Sequence, residues 1–408
     1  MIKAQTLKGF RDFLPEDAAK RLRVMEIFRV VFARFGFEPL ETPALEYAET
    51  LTGKNGTEAD KLLYLFKDNG GRDVGLRYDQ TVPLSRVMAQ YQDIPLPFKR
   101  YQMQPVWRAE NTQKGRFREF LQCDIDIVGS KNETADVEII TTTIEALRSL
   151  NLPQPIITIN DRTLFDYYKV TNEEIIIIDK MNKIGKDAVI EMLQKGGRKD
   201  ATNLFSTFEK SAPTEKLKAI FTMLSSQGYK EGVDYEFSPF LARGLDYYTS
   251  TIFEARVPSY EAGSIAGGGR YDDLIGIFSG KPLPAVGIAF GFDRILEILS
   301  EKQLLKTQET GATVLVTVFD EASRIQSGEL ASKLRTAEIN TDLYLEPAKL
   351  EKQLKYADKK GIPYVVVQGP DELSKEFIQL KNMKNRTSET MTIEEVIEIL
   401  KQVQDDKP

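Results

Sequence analysis

The sequence predicts an α+β domain followed by a smaller α/β domain, and three observations carry this expectation. Residues 98–129 read as two alternating strands joined by a basic loop. Within residues 155–234, lysine-rich amphipathic stretches read as a mostly helical insertion from about 166 to 230. After a polar linker near 300–311 the pattern turns to short apolar strands alternating with helices. At 408 residues, 41% hydrophobic and 28% charged, the chain is long enough for two or three domains and has an ordinary globular composition.

Taken in order, residues 15–35 place Leu22, Met25, Phe28, Phe32 and Phe35 three and four apart, which predicts a helix opened by Pro15 and closed by Gly36. The following FEPLETPALE is extended and interrupted by Pro39 and Pro43. In LRYDQT, alternation predicts Arg77, Asp79 and Thr81 on one face. The strand pair comes next. Its first strand is expected to put Arg108 and Glu110 on one face, with Trp107 and Ala109 on the other. Its second puts Phe120, Gln122, Asp124 and Asp126 on a polar face, and Leu121, Cys123, Ile125 and Ile127 on a core-seeking one. Lys114, Arg116 and Arg118, with Gly115 among them, make the joining loop suited to an anion. Asp79, Asp126 and Thr81 together would meet an ammonium ion with several hydrogen bonds.

Beyond the helical insertion, Tyr247, Tyr248 and Tyr271 read as strand aromatics and Gly267, Gly268 and Gly269 as a tight turn. Residues 284–299 read as a strand entering a helix. The last domain is expected as strand 314–319, helix 323–337, strand 341–345, helix 347–360, strand 364–367 and a final helix near 393–402. Lys352, Lys355 and Lys359 fall on one face of its second helix, opposite Leu350, Leu354 and Ala357.

The composition excludes several chemistries. The chain contains no histidine, which removes the commonest general base and the commonest metal ligand. Its one cysteine, Cys123, excludes an internal disulfide and a cysteine-cluster metal site, and alternation turns it toward the core. A net charge of −6 means that any nucleic-acid contact must come from local basic ridges. No apolar run has the length of a signal peptide or membrane span, so cytoplasmic residence is expected.

The run WRAE, the basic loop, then GRFREF and QCDIDIVG resembles motif 2 of the class II aminoacyl-tRNA synthetases, and within them the histidyl-tRNA synthetases. FEPLETPALE resembles their motif 1, which forms a dimer interface around a proline matching Pro43, and PAVGIAFGFDRILEIL resembles motif 3. RGLDYY and GGRYD look like motifs particular to the histidyl branch, and LRYDQT like its RxDxT segment. The resemblance spans nearly the whole chain. It implies a catalytic domain over residues 1–310, built on an antiparallel sheet with flanking helices, and an anticodon-binding domain over 311–408. It also implies that the chain forms histidyl adenylate from L-histidine and ATP with Mg2+ and charges histidine tRNA, as a homodimer away from membranes.

The same resemblance distributes the site residues. Arg108 and Arg243 would grip the α-phosphate, Arg116 and Arg294 the outer phosphates, Glu110 the adenine amino group and Phe120 the adenine face. Asp79, Gln80, Thr81, Gln122 and Asp126 match positions around the amino acid, and Tyr247, Tyr248 and Tyr271 would build the imidazole pocket. The alternative is a non-catalytic, histidine-sensing regulatory paralogue. That group characteristically lacks the anticodon-like domain and degrades the catalytic motifs, whereas Arg108, Arg243, Arg294 and the terminal α/β pattern are all present here. Synthetases for threonine, proline or glycine are disfavoured by RGLDYY.

Overall fold

The computed structural model describes residues 2–52, 62–111, 117–243, 247–260, 263–305, 311–369 and 377–405. The chain divides into two compact units, one of residues 1–12 with 24–304 and one of residues 13–23 with 305–408.

The first unit is built on an eight-stranded sheet. Its order is Glu38–Pro39, Phe98–Trp107, Glu119–Val128, Ala285–Gly291, Ala266–Arg270, Thr251–Arg256, Ile156–Asp161 and Tyr235–Phe237. Neighbours run antiparallel except at the two edge pairs, which are parallel. The helix Pro15–Arg34 buries Val24, Phe28, Val31 and Phe32; of the expected stripe Phe28 and Phe32 are buried, Met25 and Phe35 are half-buried and Leu22 is exposed, so the buried face is centred on Val24 and Val31 instead. Phe28 and Phe32 pack their rings 5.0 and 5.8 Å from that of Phe290. Burying each such ring contributes roughly 2 kcal/mol, which anchors this helix to the Ala285–Gly291 strand. A smaller antiparallel sheet holds Leu45–Tyr47, Asp73–Leu76 and Tyr64–Lys67, with Asp73–Leu76 central.

Residues 163–226 form successive helices, from Thr163–Tyr167 to Glu215–Ser226. Phe165, Ile175, Ile178, Val189, Leu193, Phe205 and Phe208 bury one another there, and the same cluster includes Leu241, Ala242 and Tyr248. The insertion therefore packs directly against the segment that carries Arg243.

The second unit holds a five-stranded sheet in the order Thr341–Leu343, Val314–Val316, Tyr364–Val367, Ile378–Asn382 and Thr387–Met391. The first three are parallel and the last two form an antiparallel hairpin. Period-two alternation is explicit: Val314, Val316 and Val366 enter one core, while Leu315, Val365 and Val367 enter the other. Lys352, Lys355 and Lys359 lie exposed on the helix Leu350–Lys359. The hairpin at 378–391 is absent from the expected element order.

Three local expectations change. The first strand of the motif 2 pair stops at Trp107, so Arg108 and Glu110 lie beyond it rather than on one strand face, although Arg108 N still donates to Arg118 O at 2.8 Å. LRYDQT is a strand end followed by a helix, Thr81–Gln90, so Arg77 and Asp79 part company. Arg77 is buried and donates to Thr42 O, Gln104 Oε1 and Pro105 O, away from Asp79. The glycines 267–269 are not a turn but lie within the strand Ala266–Arg270, fully enclosed.

Candidate active site

A cavity of about 440 Å³ opens on the polar face of the sheet. Its floor comes from alternate residues of Glu119–Val128: Phe120, Gln122, Asp124 and Asp126 line it, as strand periodicity predicts, and Cys123 is buried on the other side. Asp79 and Thr81 reach it from the turn before Thr81–Gln90, and Tyr247, Tyr248 and Tyr271 wall one side. Arg108, Arg243 and Arg294 also line it. A second cavity of about 910 Å³ adjoins through Arg108, Arg243, Ser264 and Arg294, and brings Asp179 and Lys183 of the insertion to its wall.

The floor is rich in acceptors and short of donors. Gln122 Oε1, Asp124 Oδ1 and Asp126 Oδ2 are buried with no hydrogen-bond donor among the described residues. Asp126 Oδ1 accepts from the Tyr271 hydroxyl. Arg100 Nη2 lies 2.7 Å from Asp126 Oδ2 and 4.0 Å from Asp124 Oδ2. The nearer approach is off the hydrogen-bond direction, so it serves as an ion pair and leaves that oxygen able to take a donor. Arg100, fully buried in the neighbouring strand, was not among the expected site residues. Counting the hairpin register back from Trp107↔Glu119 brings it opposite Asp126, which is the signal that could have found it.

Small residues make room above the acids. Gly287 stands opposite Asp126 and Ala289 opposite Asp124; a Cβ at Gly287 would collide with Asp126 Oδ1. Gly267 leaves its place to the Arg243 guanidinium, which a Cβ there would displace. Arg108 donates through Nε to Tyr78 O at 3.0 Å and stands 5.1 Å from the Phe120 ring centre. Arg294 donates to Ser264 O at 2.6 Å. Asp293, on the cavity wall, pairs with Arg11 at 2.9 Å, which ties the N-terminal segment to the site.

Two expected residues stand apart from this cavity. Gln80 is fully buried and its amide donates to Gln104 O and Gln122 O, which braces the floor from beneath. Glu110 does not line the cavity, and its carbonyl accepts from Arg118 Nε at 3.1 Å. Arg116 lies outside the described residues. The GGRYD arginine, Arg270, is also buried away from the cavity. It pairs with Asp136 at 2.5 Å and donates to Ser130 O and Asn132 O.

Burial raises the carboxyls of Asp79, to about 6, and of Asp124 and Asp126. It also keeps the phenols of Tyr247, Tyr248 and Tyr271 protonated. A folded value above the unfolded one means that the native state binds protons more readily, so these carboxyls favour folding below about pH 4 and oppose it above their folded values. Asp79→Asn keeps the acceptor for Val82 N and removes the buried charge. It is expected to raise unfolding free energy by up to about 3 kcal/mol at pH 8 and to gain nothing at pH 4, read from urea titrations at both pH values.

Comparison with known proteins assigns this arrangement. The histidyl-tRNA synthetase family model matches residues 9–204 and 194–295, and the anticodon binding domain model matches 306–403. Histidine–tRNA ligase of Cytophaga hutchinsonii is 36% identical over 97% of this chain and 99% of its own length. That of Wolinella succinogenes is 38% identical over 98% of each. The crystal structure of histidyl-tRNA synthetase from Nostoc sp. PCC 7120 superposes with a TM-score of 0.86 at 28% identity, covering 98% of this chain and 100% of that one. A Bacillus halodurans C structure titled an ATP phosphoribosyltransferase regulatory subunit/histidyl-tRNA synthetase shares the fold, with a TM-score of 0.71 at 23% identity over 87% of this chain and 97% of that one. Sheet, strand pair and terminal α/β domain are those of a class II aminoacyl-tRNA synthetase. The chain belongs to the histidyl-tRNA synthetase family.

Proposed function

We propose that the chain joins the carboxylate of L-histidine to the α-phosphorus of ATP, releases pyrophosphate, and passes the histidyl group from the adenylate to the 3' end of histidine tRNA. The observation that carries this reading is the polarity of one cavity: acceptors without donors on the floor, and three arginines on the wall. An ammonium and an imidazole bring N–H donors to the first. Phosphates bring negative charge to the second.

The nucleophile is an anion at neutral pH, so the step requires no enzyme base and a chain without histidine can perform it. Positioning and charge compensation at the pentavalent phosphorus do the work. Arg108 and Arg243 hold the α-phosphate, Arg294 an outer phosphate, and Phe120 the adenine face. Asp79, Thr81 and Gln122 take the ammonium, while Asp126 and the three tyrosines surround the ring. Glu110 for the adenine amino group and Arg116 for an outer phosphate complete the assignment. Magnesium would come with ATP as part of the substrate and would offset phosphate charge beside Arg108, Arg243 and Arg294.

The lysine ridge at 352, 355 and 359 is available to RNA phosphates. The three-stranded sheet exposes Leu45, Tyr47, Leu65 and Phe66, which supports burial against a second copy; sedimentation is expected to give twice the 46.2 kDa chain mass, and a monomer mass at micromolar concentration would refute it. No described helix is long and apolar enough to cross a membrane, and we assign the chain to the cytoplasm.

Amino-acid-dependent exchange of pyrophosphate into ATP, run without tRNA across the standard amino acids, tests the activity. Histidine alone is expected to support exchange. Exchange with no amino acid would overturn the catalytic reading.

A further inference from the structure

Asp124 is the one carboxylate of the floor that this mechanism leaves unused. It is 2% exposed, yet it lines the cavity. Gln122 Nε2 donates to its Oδ2 at 2.9 Å, and its Oδ1 has no donor among the described residues. The neighbouring donors are engaged elsewhere. Gln102 stands directly opposite on the adjoining strand, but its amide donates to Thr42 Oγ1 and Gln104 Oε1, and its oxygen accepts from Arg100 Nη1. Arg100 Nη2 pairs with Asp126. On the other side, Ala289 offers no polar atom and leaves space.

Charge points the same way. The groups facing Asp124 are Asp126 and Gln122 on its own strand, Arg100 on the next, Asp79 from the turn before Thr81, and the phenols of Tyr248 and Tyr271. Asp124 and Asp126 thus share a single buried guanidinium. A ligand cation would complete the balance, and a second N–H donor would satisfy the open oxygen.

Resting on the histidine-activating reading, we propose that Asp124 is a specificity-determining residue: its Oδ1 accepts an N–H of the substrate imidazole, so that both ring nitrogens donate and the ring is bound as a cation. Before substrate binds, burial holds the Asp124 carboxyl up to about 8, so its proton can pass to the acceptor nitrogen of a neutral imidazole on binding, which leaves Asp124 a carboxylate and the ring a cation with two N–H donors. The ion pair so formed sits beside the Arg100–Asp126 pair. It also separates histidine from flat heteroaromatic side chains that do not take up a second proton.

Pyrophosphate exchange by the full chain is compared for histidine and 1,2,4-triazol-3-ylalanine, whose ring stays unprotonated near neutrality. In Asp124→Asn, KM for histidine is expected to rise about tenfold or more with kcat within about threefold, and the preference for histidine over the triazole to shrink by a similar factor. An unchanged KM, or an equal rise for both amino acids, overturns the proposal. A measurement on the unaltered protein guards against a variant that fails to fold. Nitrogen NMR of bound ring-15N-histidine at pH 8 is expected to show two protonated nitrogens, and a neutral-tautomer pattern overturns it. If the wild-type chain binds histidine but supports no exchange, the catalytic reading fails while the NMR signal still decides this one.

Discussion

Arg243→Ala is expected to slow histidyl adenylate formation about a hundredfold in single-turnover measurements, a loss of roughly 3 kcal/mol of transition-state stabilisation. The guanidinium sits where the two cavities meet, over Gly267, with the Glu254 carboxylate 3.9 Å away. That ion pair is too long to hold its full hydrogen-bonding capacity, so the group is free to serve developing charge on phosphorus. Gly267→Ala provides an independent check. Its Cβ would occupy the guanidinium position, and the arginine, as the far end of a flexible side chain, would swing aside at small cost to folding. Adenylation should fall by tens of fold while the melting temperature stays within a few degrees. Near-normal single-turnover rates in both variants would remove Arg243 from the assigned role.

Arg270→Ala is expected to act on stability instead. Arg270 and Asp136 are both buried, and the guanidinium also serves Ser130 O and Asn132 O at the entry to the helix Glu133–Ser149. Removing one partner leaves an uncompensated buried carboxylate, a loss of about 3–5 kcal/mol measured by urea denaturation. The double change Arg270→Met with Asp136→Leu should recover much of it, because the desolvation penalty disappears with the pair. Equal losses in the single and double variants would show that the backbone contacts, not the ion pair, carry the stability. The arginine of GGRYD is thus a structural residue, whereas the adjacent Tyr271 lines the cavity.

Two arginines in motifs of equal apparent weight therefore have opposite fates. Residue type alone could not separate them. Alternation in a regular strand was sufficient for Phe120, Gln122, Asp124 and Asp126, because side-chain direction there follows backbone geometry within a few residues. It failed at LRYDQT, where a strand ends and a helix begins, and Arg77 turns away while Asp79 and Thr81 both line the cavity. Composition failed at the three glycines, expected as a turn and found in a strand, because their lack of side chains suits a turn and a crowded strand equally.

The sequence by itself determined the amphipathic helices, the alternating floor strand, the burial of Cys123 and the absence of any histidine chemistry, all of which depend on composition or short-range periodicity. Only the tertiary structure decided that Arg100 neutralises Asp126, that Gln80 braces the floor from beneath, and that Gly287 and Ala289 clear space above the acids. The first is set by the register of one hairpin, the second by a loop residue packed under that hairpin, and the third by pairing with a strand far along the chain; all three follow from how the whole sheet buries its core face.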